Sequence, residues 1–509
     1  MAKAATPSFV LELGLVMDPH EKKVLVKKLN IARQIYNACL GEALKRLNRL
    51  RRDPEYRSLL DSLKKASEAV SKAEKQTPSA MQKVALSDAK TEKKRISGEI
   101  RDLELCHGYS EYQLHAWSSA CGKHFEGQIG MAEIQKLASR AFNAVEKVHY
   151  HKAEQVHFKK YGELISVENK SNRQGLRFKD GLVIWGELAL KVRIRRNDVY
   201  AATALASRTK YIRIVPKTIR GKDRFYVQLV QEGYPPVKKN AVTGPKDETV
   251  GIDPGTSTMA VASESAVFLA ELAPGTEADT KRLRRIMRAM DRSRRSTNPD
   301  NYEKDGTVKK GKKTWVYSGH YKRLAARRKE CFRKLAAKRR QSHEQLANRV
   351  IALGLDVRVE DMNYKGLQKR AKNTVKNRKN GKIRTKKRFG RSLENRAPAM
   401  FLAILDRKLK PYGTGLKKAD TRSLRASQYD HRSGTFRKKE LKDRWNIIDD
   451  RKVQRDLYSA FLIANTNDTL DGVDREKAEL WYEHFLKLHD EEVEHLKHSE
   501  SRTLRWYAA

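Results

Sequence analysis

Residues 8–15, SFVLELGL, carry β-branched and long apolar side chains with no breaker and read as a strand. From Glu21 to about Arg52 the period changes. Val24, Leu25, Leu29, Ile31, Ile35, Ala38 and Leu47 recur at near-helical spacing with Lys and Arg between them, and Tyr36 falls in the expected core. Charged helix continues from Ser62 to Leu105. GYSEYQLHAW marks a turn and a new helix start, because Ser110 can cap the backbone N–H groups that follow. A further helix is expected from about Met131 to Gln155. Between 156 and 233 short β-rich runs take over, among them GLVIWGELALKVRIR, KYIRIVPKTIR and DRFYVQLVQEG, with Gly, Asn and Asp between them. A strand, then helices, then more strands implies a helical block inserted after the first strand of a β-domain, barrel or sheet.

Residues 236–248 are polar and turn-rich and read as a linker. TVGIDPGTSTMAVASESAVFLAELA then reads as a three-strand meander, VGID, TMAVAS and VFLAEL. DRSRRSTNPDNYEKDGTVKKGKKT is expected to be a basic, disordered loop. A long helix from about Ser318 to Leu353 follows, then DVRVEDM with the length of a strand. From Lys365 to Arg391 about half the residues are Lys or Arg. PAMFLAILDRKLKPYG reads as a helix, and the stretch from about Asp471 to Lys497 is helical and mildly acidic. No repeat of solenoid length occurs.

Composition narrows the class. The 509 residues suffice for two to four domains. Lys plus Arg total 108 against 62 Asp plus Glu, a formal charge of +46. Such an excess repels itself unless a polyanion neutralises it, which points to nucleic acid without separating enzyme from binder. With no apolar run of about 18 residues, neither a membrane span nor a membrane partner is expected. The N-terminus lacks the pattern of a signal peptide. Cys39, Cys106, Cys121 and Cys331 are far apart and form no Cys-x-x-Cys pair, which argues against a disulfide framework and a Cys-only zinc site. A reducing, cytoplasmic compartment is expected.

Three acids carry the candidate chemistry. Asp253 ends an apolar strand and precedes Pro254 and Gly255, so its carboxylate faces a sheet edge. Alone, the motif also fits a plain turn or the first phosphate loop of an actin-like ATPase. No second Gly-rich loop or adenosine motif follows, and the charge speaks against that ATPase. Glu360 ends the strand DVRVED and shares a face with Arg358, while Asp361 points the other way, to solvent or a cap. Asp456 begins the helix VQRDLYSAFLIAN, where by itself it would only complement the helix dipole. Together they form the cluster that phosphodiester cleavage by two Mg²⁺ ions needs. Carboxylate oxygens hold two hard cations ~4 Å apart, one activating water and one stabilising the leaving oxygen.

GIDPGTSTMAVAS, DVRVEDMNYKGL and VQRDLYSAFLIAN resemble, in order and spacing, the three RuvC motifs of transposon-encoded TnpB proteins and compact type V CRISPR effectors. RRIMRAMDRSRRSTNP, SGHYKRLAARRKE and LANRVIALG resemble the intervening text, and KKLNIARQIYNACL and GYSEYQLHAW agree more loosely. The resemblance implies a multidomain α+β chain. Its β-barrel wedge domain (strand 1–18, barrel 156–235) would carry an inserted helical recognition lobe (19–155). A linker (236–248) would lead to an RNase H-like (RuvC) α/β nuclease domain (249–509), with C-terminal helices at 467–509. Asp253, Glu360 and Asp456 match the family's catalytic, Mg²⁺-holding acids, with Mn²⁺ a possible substitute. A guide RNA and double-stranded target DNA are the implied partners in a prokaryotic cytoplasm. The family acts both as monomers and as dimers, and a monomer is favoured here. Chain length favours an antiviral CRISPR setting. A TnpB-type nuclease, an RNA-guided DNA binder with weak or no cleavage, and a basic RNA-binding scaffold without catalysis are the alternatives.

One departure stands out. Many relatives carry two Cys-x-x-Cys pairs between the second and third motifs, forming a zinc ribbon. In the matching segment here (411–450), Asp430 and Ser433 stand in place of the first pair and the second is missing, so no zinc is expected. His431 is read as a surface or nucleic-acid contact. Candidate nucleic-acid contacts are Arg282, Arg285, Arg292, Arg295, Lys369, Arg370, Lys386, Lys387, Arg388 and Arg444, which would read backbone shape rather than sequence.

Overall fold

A computed structural model describes residues 6–74, 80–238, 240–368, 390–438, 440 and 443–509 of the chain. The chain divides into two compact units, Met1–Pro236 and Val237–Ala509. No helix among the described residues is long and apolar enough to cross a membrane.

The first unit begins with β1 (Ser8–Val16). Five helices follow: α1 (Pro19–Arg52), α2 (Pro54–Ala73), α3 (Ala80–Cys106), α4 (Glu111–His124) and α5 (Met131–His149). Then come β2 (Val167–Glu168), β3 (Arg177–Lys179), β4 (Leu182–Trp185), β5 (Leu188–Arg193), α6 (Val199–Leu205), β6 (Thr209–Ile219) and β7 (Lys222–Glu232). Asp18 and Glu21 start α1 with a reciprocal capping box, each side chain accepting from the other's backbone N–H, and Pro19 fits the first helical position. Ser110 caps α4 as its sequence predicts. The helix expected to reach Gln155 stops at His149, and His151 lies in the left-handed region (φ 53°), beyond which no helix can run.

Strand β1 lies in the middle of an antiparallel sheet of order β2-β6-β7-β1-β5-β4-β3, so the helical block is an insertion into that sheet. Phe9, Leu11 and Leu13 alternate inward and join one core with the apolar stripe of α1 and α5. The sheet curls until β3 approaches β6, but no hydrogen bonds join β2 to β3. The expected barrel is therefore an open, curled sheet, because its edge strands are only two and three residues long.

The second unit opens with β8 (Thr249–Pro254), β9 (Thr258–Ser263), β10 (Ala266–Glu271), α7 (Thr276–Thr297), α8 (Gly319–Ile351) and β11 (Asp356–Glu360). Its remaining elements are α9 (Tyr364–Gln368), α10 (Gly390–Arg396), α11 (Pro398–Leu409), β12 (Lys417–Ala419), α12 (Thr421–Leu424), β13 (Trp445–Ile448), β14 (Arg451–Gln454), α13 (Arg455–Ala464), α14 (Arg475–Lys497) and α15 (Arg502–Ala508). The sheet order is β10-β9-β8-β11-β12. Strands β8, β9 and β10 form the antiparallel meander, while β11 runs parallel to both β8 and β12. Helices cover both faces: α8 and α11 pack on Val250, Ile252, Val357 and Val359, and α13 and α14 pack on the other side.

The expected disordered loop is largely ordered. Residues 291–297 complete α7, and the Asn298 side chain then ties the following segment together, accepting from the Val316 N–H (2.7 Å) and donating to its carbonyl (2.8 Å). Arg294 stacks on Trp315 and donates to the Tyr302 hydroxyl (2.8 Å). Its basic residues occupy a helix surface and a stitched turn, so their number did not signal disorder.

Gly251 sets the sheet-to-helix distance. A Cβ there would lie 2.1 Å from the Ala460 carbonyl oxygen and 2.4 Å from the Ala464 nitrogen, so α13 rests directly on the backbone of β8. Gly251→Ala is expected to lower the stability of the second unit by about 1–3 kcal/mol. Urea denaturation followed by tryptophan fluorescence would test this, and an unchanged midpoint would mean that the helix does not approach so closely.

Candidate active site

The parallel pairing of β8 and β11 places Ile252 opposite Val359, so Asp253 and Glu360 lie one step further along, at the same end of neighbouring strands. Val250 and Ile252 turn to the α8 face with Val357 and Val359; strand alternation therefore sends Asp253, Arg358 and Glu360 to the α13 face. Helix α13 is buried along its length from Leu457 to Ala464 and lies on Gly251. Its first turn carries Asp456. Gln454 caps it, accepting from the Leu457 N–H (2.8 Å), while its own backbone N–H donates to His489 Nε2 (2.8 Å). Arg358 clamps the assembly, donating to Asp356 (2.9 Å) and to the Thr466 carbonyl just beyond α13.

The three sequence-selected acids thus share one site, and the titration of Asp253 and Glu360 registers it. Burial, then the negative charges of Asp456 and Glu360, push Asp253 well above the ordinary carboxylate range, with Arg455 and Ser459 pulling the other way. Glu360 is 9% exposed, and burial pushes it up to about 7. Two raised carboxyls beside a third are the electrostatic mark of a site that lacks countercharge.

Asp456 has that countercharge from protein. Arg455 Nε donates to one of its oxygens (3.1 Å), and Arg444 lies 3.5 Å from the other. A donor set of three hard carboxylates fits Mg²⁺ or Mn²⁺. As placed, however, no group of three or more His, Cys, Asp or Glu side chains among the described residues stands ready to hold an ion, and Asp456 is turned to its arginines. Fit is therefore in ligand chemistry rather than in a finished cage. Where ions bind, Asp253, Glu360 and Asp456 would hold them.

Other expected residues divide. Arg282, Arg285, Arg292 and Arg295 are exposed on α7, and spacings of three, seven and three put them on one face. Arg295 pairs with Asp291 (3.3 Å) and covers Tyr302. Asp361 is exposed and pairs with Lys418 (2.8 Å). Lys369, Arg370, Lys386, Lys387 and Arg388 lie outside the described residues. Arg444 pairs with Asp456, because the β13–β14 hairpin brings it back beside Arg455, whose N–H donates to the Arg444 carbonyl (2.8 Å). One reading is corrected. His431 is no surface residue: it is 1% exposed, ringed by Tyr458, Phe461 and Tyr482, with Nδ1 2.6 Å from the Tyr458 hydroxyl.

Sequence reasoning missed Arg455, Ser459 and Tyr364. The Tyr364 hydroxyl is buried without a hydrogen-bond partner among the described residues, and burial and the charges of Asp253 and Glu360 raise its pKa. Its only signal was its place four residues after Glu360, one helical step beyond the strand.

No family model matches the chain, and no curated protein matches it. Among solved structures it is similar to a Cas12f1–sgRNA–target DNA complex seen by cryo-EM, over 90% of this chain and 99% of that one, at 12% identity and a TM-score of 0.38. A CRISPR–Cas12f ternary complex is similar over 88% and 82% of the two chains, at 14% identity and a TM-score of 0.24. At those values neither assigns a role to a residue of this chain.

Because Glu360 titrates higher in the fold than in the open chain, its contribution to stability is present below the ordinary carboxylate pKa and is lost as pH rises through about 7. Glu360→Gln, locked in the neutral form, is therefore expected to be more stable than the parent without divalent ions at pH 8, by about 1–3 kcal/mol. The gain should shrink toward pH 5. Thermal melts across that range check it; a pH-independent difference would show that burial does not raise Glu360.

Proposed function

We propose that this chain is an RNA-guided DNA endonuclease whose second unit is an RNase H-like (RuvC) nuclease domain. The observation that carries the reading is the meeting of Asp253, Glu360 and Asp456 at one end of β8 and β11 under α13, with Asp253 raised by burial and the neighbouring charges and Glu360 raised by burial. A three-strand meander continued by two parallel strands, with helices on both faces, supports the domain assignment. The charge of +46 supports long polyanionic partners, proposed as a guide RNA and double-stranded DNA.

Divalent ions held by the acids would supply water activation and charge neutralisation at the cleaved phosphodiester. The protein's part is to build a partly dry, negative pocket. Asp253 and Glu360 must give up their protons before they can act as ligands, so loading favours pH above the raised values. Gly251, Gln454 and Arg358 fix the strand and helix that carry the acids. The exposed arginines of α7 are proposed to grip phosphates, reading backbone shape rather than base sequence. A prokaryotic cytoplasm and an antiviral CRISPR role accompany this reading.

A second reading, RNA-guided binding with weak cleavage, is favoured by one observation: both Asp456 oxygens face arginines. Single-turnover cleavage of DNA by the purified chain with its co-purified RNA separates the two. Cleavage should need Mg²⁺ or Mn²⁺ and fall at least about 100-fold in Asp253→Ala, with RNA binding retained. Retained cleavage in that variant would break the assignment of the acids, and binding without measurable cleavage in the parent would favour the second reading.

We further propose that the lobe holds no structural zinc. Residues 411–450 contain no cysteine, and the turn that would carry the first ligands is supported by protein groups. His431 packs among aromatic rings, the Asp430 side chain accepts from the Arg432 N–H (3.0 Å), and Arg475 donates to the His431 carbonyl (2.7 Å). Elemental analysis of the purified chain should find zinc far below one equivalent; stoichiometric zinc would overturn this.

A further inference from the structure

Asp456 is not left to its arginines by chance. The β13–β14 hairpin turns through Asp449 and Asp450, both at positive φ (45° and 59°), and pairs Trp445 with Gln454. Arg444 and Asp456 therefore sit at the open end of the same hairpin. Arg444 is then pinned from outside the hairpin. Its guanidinium lies 4.1 Å from the centre of the Trp506 ring and 4.7 Å from that of Tyr507, both on α15. The two rings stand edge to face (5.2 Å, 87°). The neighbouring Trp445 is tied to the same place, its indole N–H donating to the Ala509 carbonyl (3.0 Å). Arg444 Nε is buried without a hydrogen-bond partner among the described residues, so the rings and Asp456 are what hold the group. Arg455, the other arginine on Asp456, is held differently, by the carbonyls of Asp443 (2.6 Å) and Glu440 (3.3 Å).

We propose that Trp506 and Tyr507 are positioning residues that hold Arg444 against Asp456, so that the guanidinium competes with divalent ions for this acid. The inference rests on the reading of the three acids as an ion site. A cation 3.5 Å from a carboxylate oxygen weakens the binding of any further cation there, and an aromatic pair that fixes the guanidinium makes it a stronger competitor. Helix α15 thereby tunes ion loading without touching an ion.

The test is calorimetric titration of the full-length chain with Mn²⁺, with bound ions counted by electron paramagnetic resonance. Trp506 is 53% exposed, so its replacement should leave the fold intact. Trp506→Ala is expected to tighten Mn²⁺ binding about threefold. Arg444→Gln should tighten it about tenfold. Trp506→Ala added to Arg444→Gln should do nothing more, and Trp506→Phe, which keeps a ring, should stay close to the parent. A Trp506→Ala affinity equal to or weaker than the parent's overturns the clamp, as does an equal effect of that change with Arg444 already removed. Asp253→Asn is the control for the site: if Mn²⁺ binding survives it unchanged, the acid site itself is wrong and the clamp falls with it. Loss of Mn²⁺ binding in Asp253→Asn together with no response to Trp506→Ala overturns the clamp alone.

Discussion

Negative charge confined at the ends of two parallel strands is the constraint around which the second unit is organised. Asp253 and Glu360 lie on the covered face of the sheet, where burial alone disfavours ionisation, and Asp456 adds a third charge from above. Such a cluster costs stability unless something positive joins it. A fold would not keep it for packing, since apolar side chains there would be more stable. The surroundings show where rigidity was preferred to comfort: a glycine that lets backbone meet backbone, a helix buried all round, and a strand arginine that reaches past the helix to anchor its exit.

That rigidity has a chain of supports. Gln454 caps α13 with its side chain while its N–H is received by His489, which is itself bound through Nδ1 to Asp490 (2.8 Å). The ring therefore accepts at Nε2 and donates at Nδ1, and burial lowers its pKa, which keeps it in that neutral form. The position of Asp456 is consequently set by backbone packing below and a fixed tautomer above. Neither depends on an ion being present.

The sequence disclosed the acids because strand ends and helix starts are local features. Alternating Val357 and Val359 oriented Glu360, and the apolar run before Asp253 placed it at an edge. Gly251 was silent, because its meaning lies in Ala460 and Ala464, some two hundred residues away. His431 was misread for a similar reason: polarity in a text rich in arginine looks like surface until an aromatic cluster closes over it. The curled sheet of the first unit was legible as strands but not in its degree of closure, which is decided by how many residues the edge strands contribute. Asn298 converted a basic stretch into an ordered turn through two side-chain hydrogen bonds that composition cannot reveal.

Arginine serves two ends in this unit, and the difference is one of desolvation. On α7, Arg282, Arg285 and Arg292 are exposed and pay little for remaining in water, so they are suited to a polyanion that arrives and leaves. Arg444 is mostly buried and Arg455 is buried, and each is held by groups besides the acid: rings for one, carbonyls for the other. A cation fixed by such contacts is part of the pocket itself rather than a counterion free to diffuse away.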